Sequence, residues 1–332
     1  MSTEIGPASP PTSQGDTPPQ QPLTVADDGM EIIARTQGQL IRRRFFRHRA
    51  ALLGMLTLGA VVVLAYSSIG FGPYDGWWDK DYEATADILD GGRPTLWADG
   101  PFSLGEQPFG QDNVGKDYFA LVMRGTQQSL VVAFLIGVVA TVTGTLVGAV
   151  AGFYRGWVEG VLMRLTDMMI SIPTLIFAAV LAAIAGRSGI IVLGIALGLV
   201  TWTGLARLVR GEFLALREKE FVEAARAIGT SPWRIIYKHI LPNTIGVIIV
   251  TATLAIASGI LLETALSFLG LGVQPPDVSL GSLVSQYQTA MVSRPWLFWW
   301  PGVFIVVIAL SVNFIGDGLR DAFDPRQTRV RD

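Results

Sequence analysis

Long runs of apolar residues, separated by polar stretches, dominate the pattern along the chain. Six of these runs are long enough to cross a bilayer as a helix, for which about 20 residues are needed. They cover residues 50–71, 129–153, 158–185, 190–208, 244–271 and 296–315. The pattern therefore predicts an all-α polytopic membrane protein with six transmembrane helices. An even number of crossings returns the C-terminus to the side on which the N-terminus lies.

The polar stretches divide the chain into further parts. Residues 1–48 form an N-terminal tail whose first half is rich in Pro, Gln, Ser and Thr, a composition typical of disorder. Inside the core, residues 209–243 are polar and charged although apolar runs flank them on both sides. The predicted parts are the tail (1–48), the first transmembrane helix (49–71), a long polar segment (72–126), a five-helix core (127–316) and a C-terminal tail (317–332).

The distribution of charge indicates how the chain is oriented. Segment 72–126 holds many more acidic than basic residues, whereas segment 209–243 is rich in Arg and Lys. Five arginines stand directly before the first apolar run, and they are Arg42, Arg43, Arg44, Arg47 and Arg49. Because positive charge favours the cytoplasmic side, both termini and segment 209–243 are predicted to be cytoplasmic and segment 72–126 external. A basic patch can also bind nucleic acid, but beside a transmembrane run we favour the orientation signal.

The overall composition narrows the classes of function. The chain is 50% hydrophobic and 16% charged, whereas soluble domains are about a quarter charged. Its net charge of -2 gives no support for a nucleic-acid partner. The absence of cysteine excludes disulfides and thiolate metal sites. The two histidines, His48 and His239, lie far apart in the sequence, so we expect no metal site and no catalytic triad.

Segment 209–243 predicts two short helices with a break between them. Residues 212–228 are rich in good helix formers. Gly229 suits the left-handed position after a helix, and residues 231–232, Ser-Pro, suit the start of the next one. Ala224 and Ala225 leave a helix face with little side-chain bulk, to which another backbone can come close. On the inner side of a membrane protein, we predict that this segment is a docking surface.

The same residues carry a family resemblance. Glu223-Ala224-Ala225, followed by Gly229 and by Leu241-Pro242, resembles the EAA loop of permease subunits of bacterial ABC importers. Three more stretches resemble the C-type permease subunits of the oligopeptide and dipeptide subfamily, and they are residues 107–117, 261–272 and 316–326. In the first of them, the family has His and Thr where this chain has Gln107 and Gln111. The resemblance covers about residues 40–327.

The resemblance implies a type I ABC importer permease fold in the bacterial cytoplasmic membrane. The chain would be a transport subunit without its own ATPase site, with peptides as the main substrates. Nickel chelates or sugars remain alternative substrates, and a stand-alone secondary transporter or a membrane-embedded enzyme remains an alternative class.

The resemblance also implies the partners and the coupling residues. The partners are a second permease subunit, two ATP-binding subunits and an extracytoplasmic substrate-binding protein. ATP and magnesium would be bound by the ATPase subunits, so that this chain needs no cofactor. The residues expected to couple the chain to the ATPases are Phe221, Glu223, Ala224, Ala225, Ile228, Gly229 and Trp233.

One stretch of the outer segment imitates a nucleotide-binding motif. Gly110 and Gly115-Lys116 have the spacing of a phosphate-binding loop, but Asp117 takes the place of the required Ser or Thr. No strand is predicted before this stretch, and such a loop needs a strand before it and a helix after it. We therefore do not interpret it as a nucleotide site.

Charged residues inside membrane spans are costly, so they are candidates for function. Asp167 lies three residues after Arg164 near the start of the third run, and we expect the two to pair. A place in the transport pathway is the alternative for Asp167. Glu263 lies within the fifth run, and its carboxylate must face protein or water. A contact with another subunit and a place in the pathway are equally favoured for Glu263.

Small and aromatic residues give two further predictions. Glycines spaced by four in the second run predict close helix packing in the membrane, and they are Gly144, Gly148 and Gly152. Three tryptophans predict a small folded core within segment 72–126, and they are Trp77, Trp78 and Trp97. We expect this outer segment to form part of the platform for the substrate-binding protein.

Overall fold

The computed structural model describes residues 37–96, 100 and 103–324, and its framework is helical. The helices are α1 (Gln37–Phe45), α2 (Arg49–Ser68), α3 (Tyr118–Tyr154), α4 (Gly156–Ser171), α5 (Thr174–Ala185), α6 (Ile190–Thr201), α7 (Thr203–Leu216), α8 (Glu220–Ala227), α9 (Pro232–Arg234), α10 (Leu241–Phe268), α11 (Leu280–Tyr287) and α12 (Trp296–Phe323). A π-helical stretch, Ile235–Ile240, joins α9 to α10. Strands β1 (Gly70–Phe71) and β2 (Tyr74–Asp75) form an antiparallel hairpin. The proline-rich part of the N-terminal tail and the end of the C-terminal tail lie outside the described residues.

Four unbroken helices are long and apolar enough to cross a membrane. They are α2, α3, the continuous helix Pro232–Phe268 and α12. Two bent pairs pass the same test together, α4 with α5 and α6 with α7. The described residues therefore provide four spans, or six if each bent pair crosses once, in agreement with the six predicted runs.

The third predicted run is not one straight helix. Its two halves, α4 and α5, meet at an angle of 89°. The break lies at Ile172 and Pro173, where the backbone of Ile172 is extended (φ -85°, ψ 127°). Proline lacks an amide hydrogen and disfavours the helical conformation in the residue before it. The proline was visible in the sequence, but the apolar residues continue on both sides of it, so the run was interpreted as one helix. The fourth run is bent as well, by 49° between α6 and α7.

Helix α3 begins at Tyr118, not at residue 129 as predicted. Asp117 caps its first turn, because Oδ1 accepts a hydrogen bond from the amide of Ala120 (2.8 Å). The polar residues Gln127 and Gln128, at the end of this first part, are buried. Nε2 of Gln127 donates to the carbonyls of Ala65 and Gly70 (both 2.8 Å), and Gln128 bonds to the segment before α11. The polar residues Gln127 and Gln128 therefore do not mark the start of this helix. They lie within it, because their side chains have hydrogen-bond partners inside the protein.

The predicted glycine ridge of α3 packs against α7. A Cβ atom placed on Gly144 would lie 2.8 Å from the carbonyl oxygen of Trp202, and one on Gly148 would lie 2.8 Å from Cβ of Val209. One on Gly152 would meet Phe213 at 2.6 Å. No larger residue fits at this contact without a shift of the backbone, which confirms the prediction of close helix packing.

Segment 72–126 shares its aromatic core with the ends of the helices. The ring of Trp78 lies 5.0 Å from that of Phe119 in α3, and Phe109 stacks on Trp300 of α12 at 3.9 Å. Trp77 is 52% exposed, and the predicted Trp97 lies outside the described residues. The core of the outer segment is therefore built jointly with α3 and α12 and is not a separate unit.

The motif-like stretch 107–117 is a tight turn held by its own acid. Asp112 is buried, and its Oδ1 accepts the amides of Val114 (2.9 Å) and Lys116 (2.8 Å). Its Oδ2 accepts the hydroxyl of Tyr287 in α11 (2.9 Å). Two amides that a phosphate loop would offer to its ligand are thus bonded to a carboxylate of the chain itself.

Candidate functional site

Segment 209–243 contains two breaks where the sequence predicted one. The predicted break follows α8, and the additional one separates α7 from α8 at residues 217–219. Lys219 is extended there (φ -84°, ψ 148°), and its carbonyl accepts the amides of Val222 (2.9 Å) and Glu223 (3.2 Å). Good helix formers across this stretch gave no sign of a break. At this break, the side chains of Arg217 and Glu218 contact the end of α3, as described below.

The end of α8 has the geometry that the sequence predicted. Gly229 is left-handed (φ 76°), and its amide bonds to the carbonyl of Arg226 (2.9 Å). The amide of Thr230 bonds to the carbonyl of Ala225 (3.0 Å). These two bonds are those of a Schellman cap. The predicted start at residues 231–232 is confirmed, since α9 has a serine at its N-cap and a proline in its first turn.

One face of α8 is buried within the chain. Val222 is fully buried and Ala225 is 4% exposed, and both belong to an apolar cluster with Phe213, Ile235 and Ile236. Ala225 was predicted to contact another subunit, but its side chain points into this cluster. As the chain is arranged here, Ala225 seats α8 on the protein and does not present itself to a partner.

The opposite side of the segment exposes large apolar side chains. Phe221 is 40% exposed and Ile228 83%, and they lie on the same face of α8 as the exposed Ala224. Trp233 in α9 is 58% exposed, and Tyr237, four residues later, is 67% exposed. We call Phe221, Ile228, Trp233 and Tyr237 the apolar quartet. Tyr237 was not predicted, although its spacing of four from Trp233 was a signal in the sequence.

Glu223 and Gly229 also lie at the surface of this segment. Among the described residues other than 228–230, none has an atom within 4 Å of the position that a Cβ on Gly229 would take. The surface thus combines large apolar side chains with a flat, open region at the end of α8. Apolar groups of this size, exposed beside polar ones, mark surfaces that bind another protein.

A cluster of charged groups ties the link between α7 and α8 to the end of α3. Nη1 of Arg217 donates to the carbonyl of Phe153 (2.5 Å), one of the last in α3. Glu218 pairs with Arg155 (3.0 Å) and with Nε of Arg217 (3.3 Å). The guanidinium of Arg226 lies over the ring of Phe153, 5.8 Å from its centre. We call the interactions of Arg217, Glu218 and Arg155 the α3–α8 clamp.

Arg217 is the central residue of this clamp. Only 16% of its side chain is exposed, whereas Arg155 and Glu218 are about half exposed. Burial lowers the pKa of the Arg217 guanidinium, as do the nearby charges of Arg155 and Arg226. The group nevertheless stays charged, since arginine does not lose its proton in proteins. A cation at the end of α3 is also favoured by the partial negative charge of the free carbonyls there.

The predicted pairing of Asp167 with Arg164 is not observed. Its Oδ1 bonds to Nη2 of Arg207 in α7 (2.6 Å). The side chains of Asp167 and Arg207 are each about half exposed. Asp167 bonds to Arg207 and not to its helix neighbour Arg164, because α4 packs beside α7 and brings Arg207 within reach. Asp167 thereby links the two bent pairs of helices.

Glu263 is completely buried in its own chain, away from lipid as predicted. Its Oε1 accepts the hydroxyl of Ser267 (2.7 Å), and its Oε2 accepts that of Ser129 in α3 (3.2 Å). Ser129 accepts the amide of Leu280, and Ser267 bonds to the hydroxyl of Ser279 (3.2 Å). In this arrangement, the Glu263 carboxylate is enclosed by residues of its own chain. It joins α3 and α10 to the start of α11.

Two sequence profiles of known families match this chain. The sequence profile of the family described as binding-protein-dependent transport system inner membrane component matches residues 144–329. The profile described as the N-terminal transmembrane domain of oligopeptide transport permease C matches residues 36–85.

Relatives match over nearly the whole chain. A putative peptide permease protein of Brucella ovis is 38% identical over 305 residues, which are 90% of this chain and 94% of that protein. The oligopeptide transport system permease protein OppC of Mycobacterium tuberculosis is 36% identical over 293 residues, 88% and 96% of the two chains. The protein of the same name from Haemophilus influenzae is 36% identical over 304 residues, 91% and 93%.

Among solved structures, a chain of the MetNI methionine ABC transporter in an inward-facing conformation matches with a TM-score of 0.51. The match covers 61% of this chain and 97% of that one. At 21% sequence identity, it shows a common fold.

Proposed function

The chain belongs to the family of inner-membrane components of binding-protein-dependent transport systems, and from this premise we propose how it works. It is a membrane-spanning permease component of an ABC importer. The function that we propose in detail is the import of di- and oligopeptides, driven by ATP hydrolysis on separate subunits. One observation carries the proposal of coupling, namely the exposed apolar quartet on the short helical elements of segment 209–243.

The partners that we propose are a second permease subunit, two ATP-binding subunits and an extracytoplasmic substrate-binding protein. The apolar quartet would occupy a groove on an ATPase subunit, with Glu223 and Ala224 beside it. ATP and magnesium would be held by the ATPase subunits. The cytoplasmic orientation of segment 209–243 is supported by its many basic residues, and both termini would lie on the same side.

The proposed cycle couples two states of the ATPases to two states of the helices. ATP binding would close the ATPase subunits together and move α8 with them. The α3–α8 clamp would pass this movement to α3, around which α6, α7 and α10 pack. The pathway would then open toward the binding protein, and hydrolysis would let it relax inward. Such coupling requires contacts that differ in free energy between the two states.

The peptide substrate is supported by the relatives, which are named as peptide and oligopeptide permease proteins. Glu263 gives no support for selection by charge in this conformation, since it is buried and bonded within the chain. Nickel chelates and sugars therefore stay as alternative substrates of the same machinery.

The experiment that tests this proposal is co-purification followed by transport. The tagged chain is extracted in mild detergent, its bound polypeptides are identified by mass, and the assembly is placed in liposomes with labelled peptide. We expect a second permease chain, ATPase subunits, and uptake that stops when ATP or the binding protein is omitted. A chain that purifies alone and moves solute without ATP would contradict the proposal. Uptake of a sugar or a nickel chelate instead of peptide would overturn only the substrate.

A further inference from the structure

A basic surface surrounds the joint between α1 and α2. It consists of Arg42, Arg43, Phe46, Arg47 and Arg49, which we call the α1 basic face. All five residues are exposed, Phe46 by 53%. Among the described residues, no carboxylate lies within ion-pair distance of these four guanidinium groups. The four positive charges therefore lack a counterion within that part of the chain.

The other face of α1 is fixed to the protein. Nη1 of Arg44 donates to the carbonyl of Asp324 (3.0 Å), after the end of α12. A Cβ atom placed on Gly318 of α12 would lie 3.4 Å from the ring of Phe45, so the two helices are in close contact. Leu40 and Ile41 are half-buried on the same side. Because α1 is held in this way, its basic face is kept pointing outward.

The position of this face along the first span matches the surface of the bilayer. Helix α2 begins at Arg49, and Nδ1 of His48 caps it by accepting the amide of Ala51 (3.1 Å). The 20 residues of α2 are about the number that the hydrocarbon core requires. The basic face at its end therefore lies at the level of the lipid headgroups. Exposed aromatic residues such as Phe46 are favoured at this level.

We propose that the α1 basic face binds the headgroups of anionic phospholipids, with Phe46 placed between the headgroups and the acyl chains. These guanidinium groups, which have no carboxylate partner among the described residues, are complementary to lipid phosphates, which they can bind by two parallel hydrogen bonds. Basic clusters directly beside a membrane span bind anionic lipid surfaces. Lipid binding itself does not depend on the proposed transport function.

The fixed side of α1 is also close to segment 209–243. Residues Leu40, Ile41 and Arg44 of α1 line one cavity together with Glu212 of α7 and with Pro242 and Gly246 of α10. Helix α1 thus adjoins both ends of segment 209–243. A lipid bound to α1 would steady the base from which this segment moves, so transport by the assembly should depend on anionic lipid. This consequence, unlike lipid binding, rests on the proposed function.

The test measures lipid retention by the full-length chain, purified with the subunits that accompany it. The delipidated assembly is incubated with phosphatidylglycerol or phosphatidylcholine and analysed by native mass spectrometry. The test variant is Arg42→Gln/Arg43→Gln, which leaves Arg47 and Arg49 to orient the first span. The matched control is Arg42→Lys/Arg43→Lys, which preserves the charge. A single cysteine, Gly38→Cys in a chain that has none, reports the side of insertion by labelling.

We expect the wild-type assembly to retain phosphatidylglycerol in preference to phosphatidylcholine. Retention of phosphatidylglycerol should fall about fivefold for each arginine replaced by glutamine, and this loss should be smaller in high salt. The lysine variant should stay within about threefold of wild type, since the main attraction is one of charge. Equal retention by the wild-type and glutamine variants would overturn the proposal. So would a glutamine variant that keeps its lipid but loses an accompanying subunit, because the face would then bind a protein.

Discussion

Gly229 has a conformation that other residues adopt at a cost. Its φ of 76° places it in the left-handed region, where a β-carbon costs about 1 kcal/mol or more. We expect Gly229→Ala to loosen the end of α8 and to reduce peptide uptake several-fold, with normal amounts of protein in the membrane. The measurement is uptake per assembly in liposomes, compared with the ATPase rate of the same preparation.

Gly211 provides the matched control for this prediction. It lies within α7, and no atom outside its own helix lies within 4 Å of an added Cβ. Because alanine is a better helix former than glycine, Gly211→Ala should be neutral or stabilising by up to about 1 kcal/mol. Full uptake by a Gly229→Ala assembly would show that the left-handed cap does not matter for coupling.

Glu263 is expected to matter for stability because three elements meet at its carboxylate. Glu263→Ala leaves the hydroxyls of Ser129 and Ser267 without this acceptor in the protein interior. An unsatisfied buried polar group costs about 1–3 kcal/mol, so the melting temperature of the assembly should fall by several degrees. Glu263→Gln keeps the size and one oxygen acceptor and should lose less. Equal melting temperatures for wild type and Glu263→Ala would contradict this role.

At the scale of elements, the α3–α8 clamp predicts different effects for its members. Arg155 and Glu218 form an ion pair that is about half exposed, and such pairs contribute only about 0–1 kcal/mol. Arg217 is mostly buried and bonds to the carbonyl of Phe153. We therefore expect Arg155→Ala to be almost silent. Arg217→Ala should detach α8 from α3, so that ATP hydrolysis continues while uptake falls about tenfold or more.

The readout for this prediction is the number of peptides transported per ATP hydrolysed. A defect in folding would lower both rates and the amount of assembly, whereas a loose clamp lowers their ratio. Arg217→Lys is the conservative control, since it keeps the charge near the end of α3 but not the planar geometry of the guanidinium. A normal ratio in Arg217→Ala would mean that α8 moves α3 by another route.

The two ends of α8 show how much of the candidate site could be predicted from the sequence. The cap at Gly229 was predictable because it depends on residues that are neighbours in the chain. The break between α7 and α8 was not, because good helix formers continue through it, and Arg217 at this break bonds to Phe153, 64 residues earlier. Likewise, Asp167 bonds to Arg207 from another helix and not to its neighbour Arg164. Local signals identified the candidate site, and long-range contacts determined which of its residues face inward.

At the scale of the whole molecule, segment 209–243 has two faces with different roles. The buried face, with Val222 and Ala225, belongs to the apolar cluster that seats α8 on the membrane helices. The exposed face carries the apolar quartet, whose side chains are 40% (Phe221) to 83% (Ile228) exposed and therefore contribute less to the stability of this chain than the buried ones. The two faces can therefore be separated by mutation, because damage to one should destabilise the chain and damage to the other should release a partner.

The exposed face is tested by Phe221→Ser/Ile228→Ser and the buried face by Val222→Ser. The double variant should keep the melting temperature of the permease chain but retain ATPase subunits about tenfold less for each side chain lost, as expected for apolar anchors in an interface. Val222→Ser places a hydroxyl in an apolar cluster and should lower the melting temperature by several degrees. Co-purification and thermal unfolding of the same samples distinguish these outcomes. If the double variant retains ATPase subunits as tightly as wild type does, the apolar quartet is not the contact through which ATP hydrolysis moves this chain.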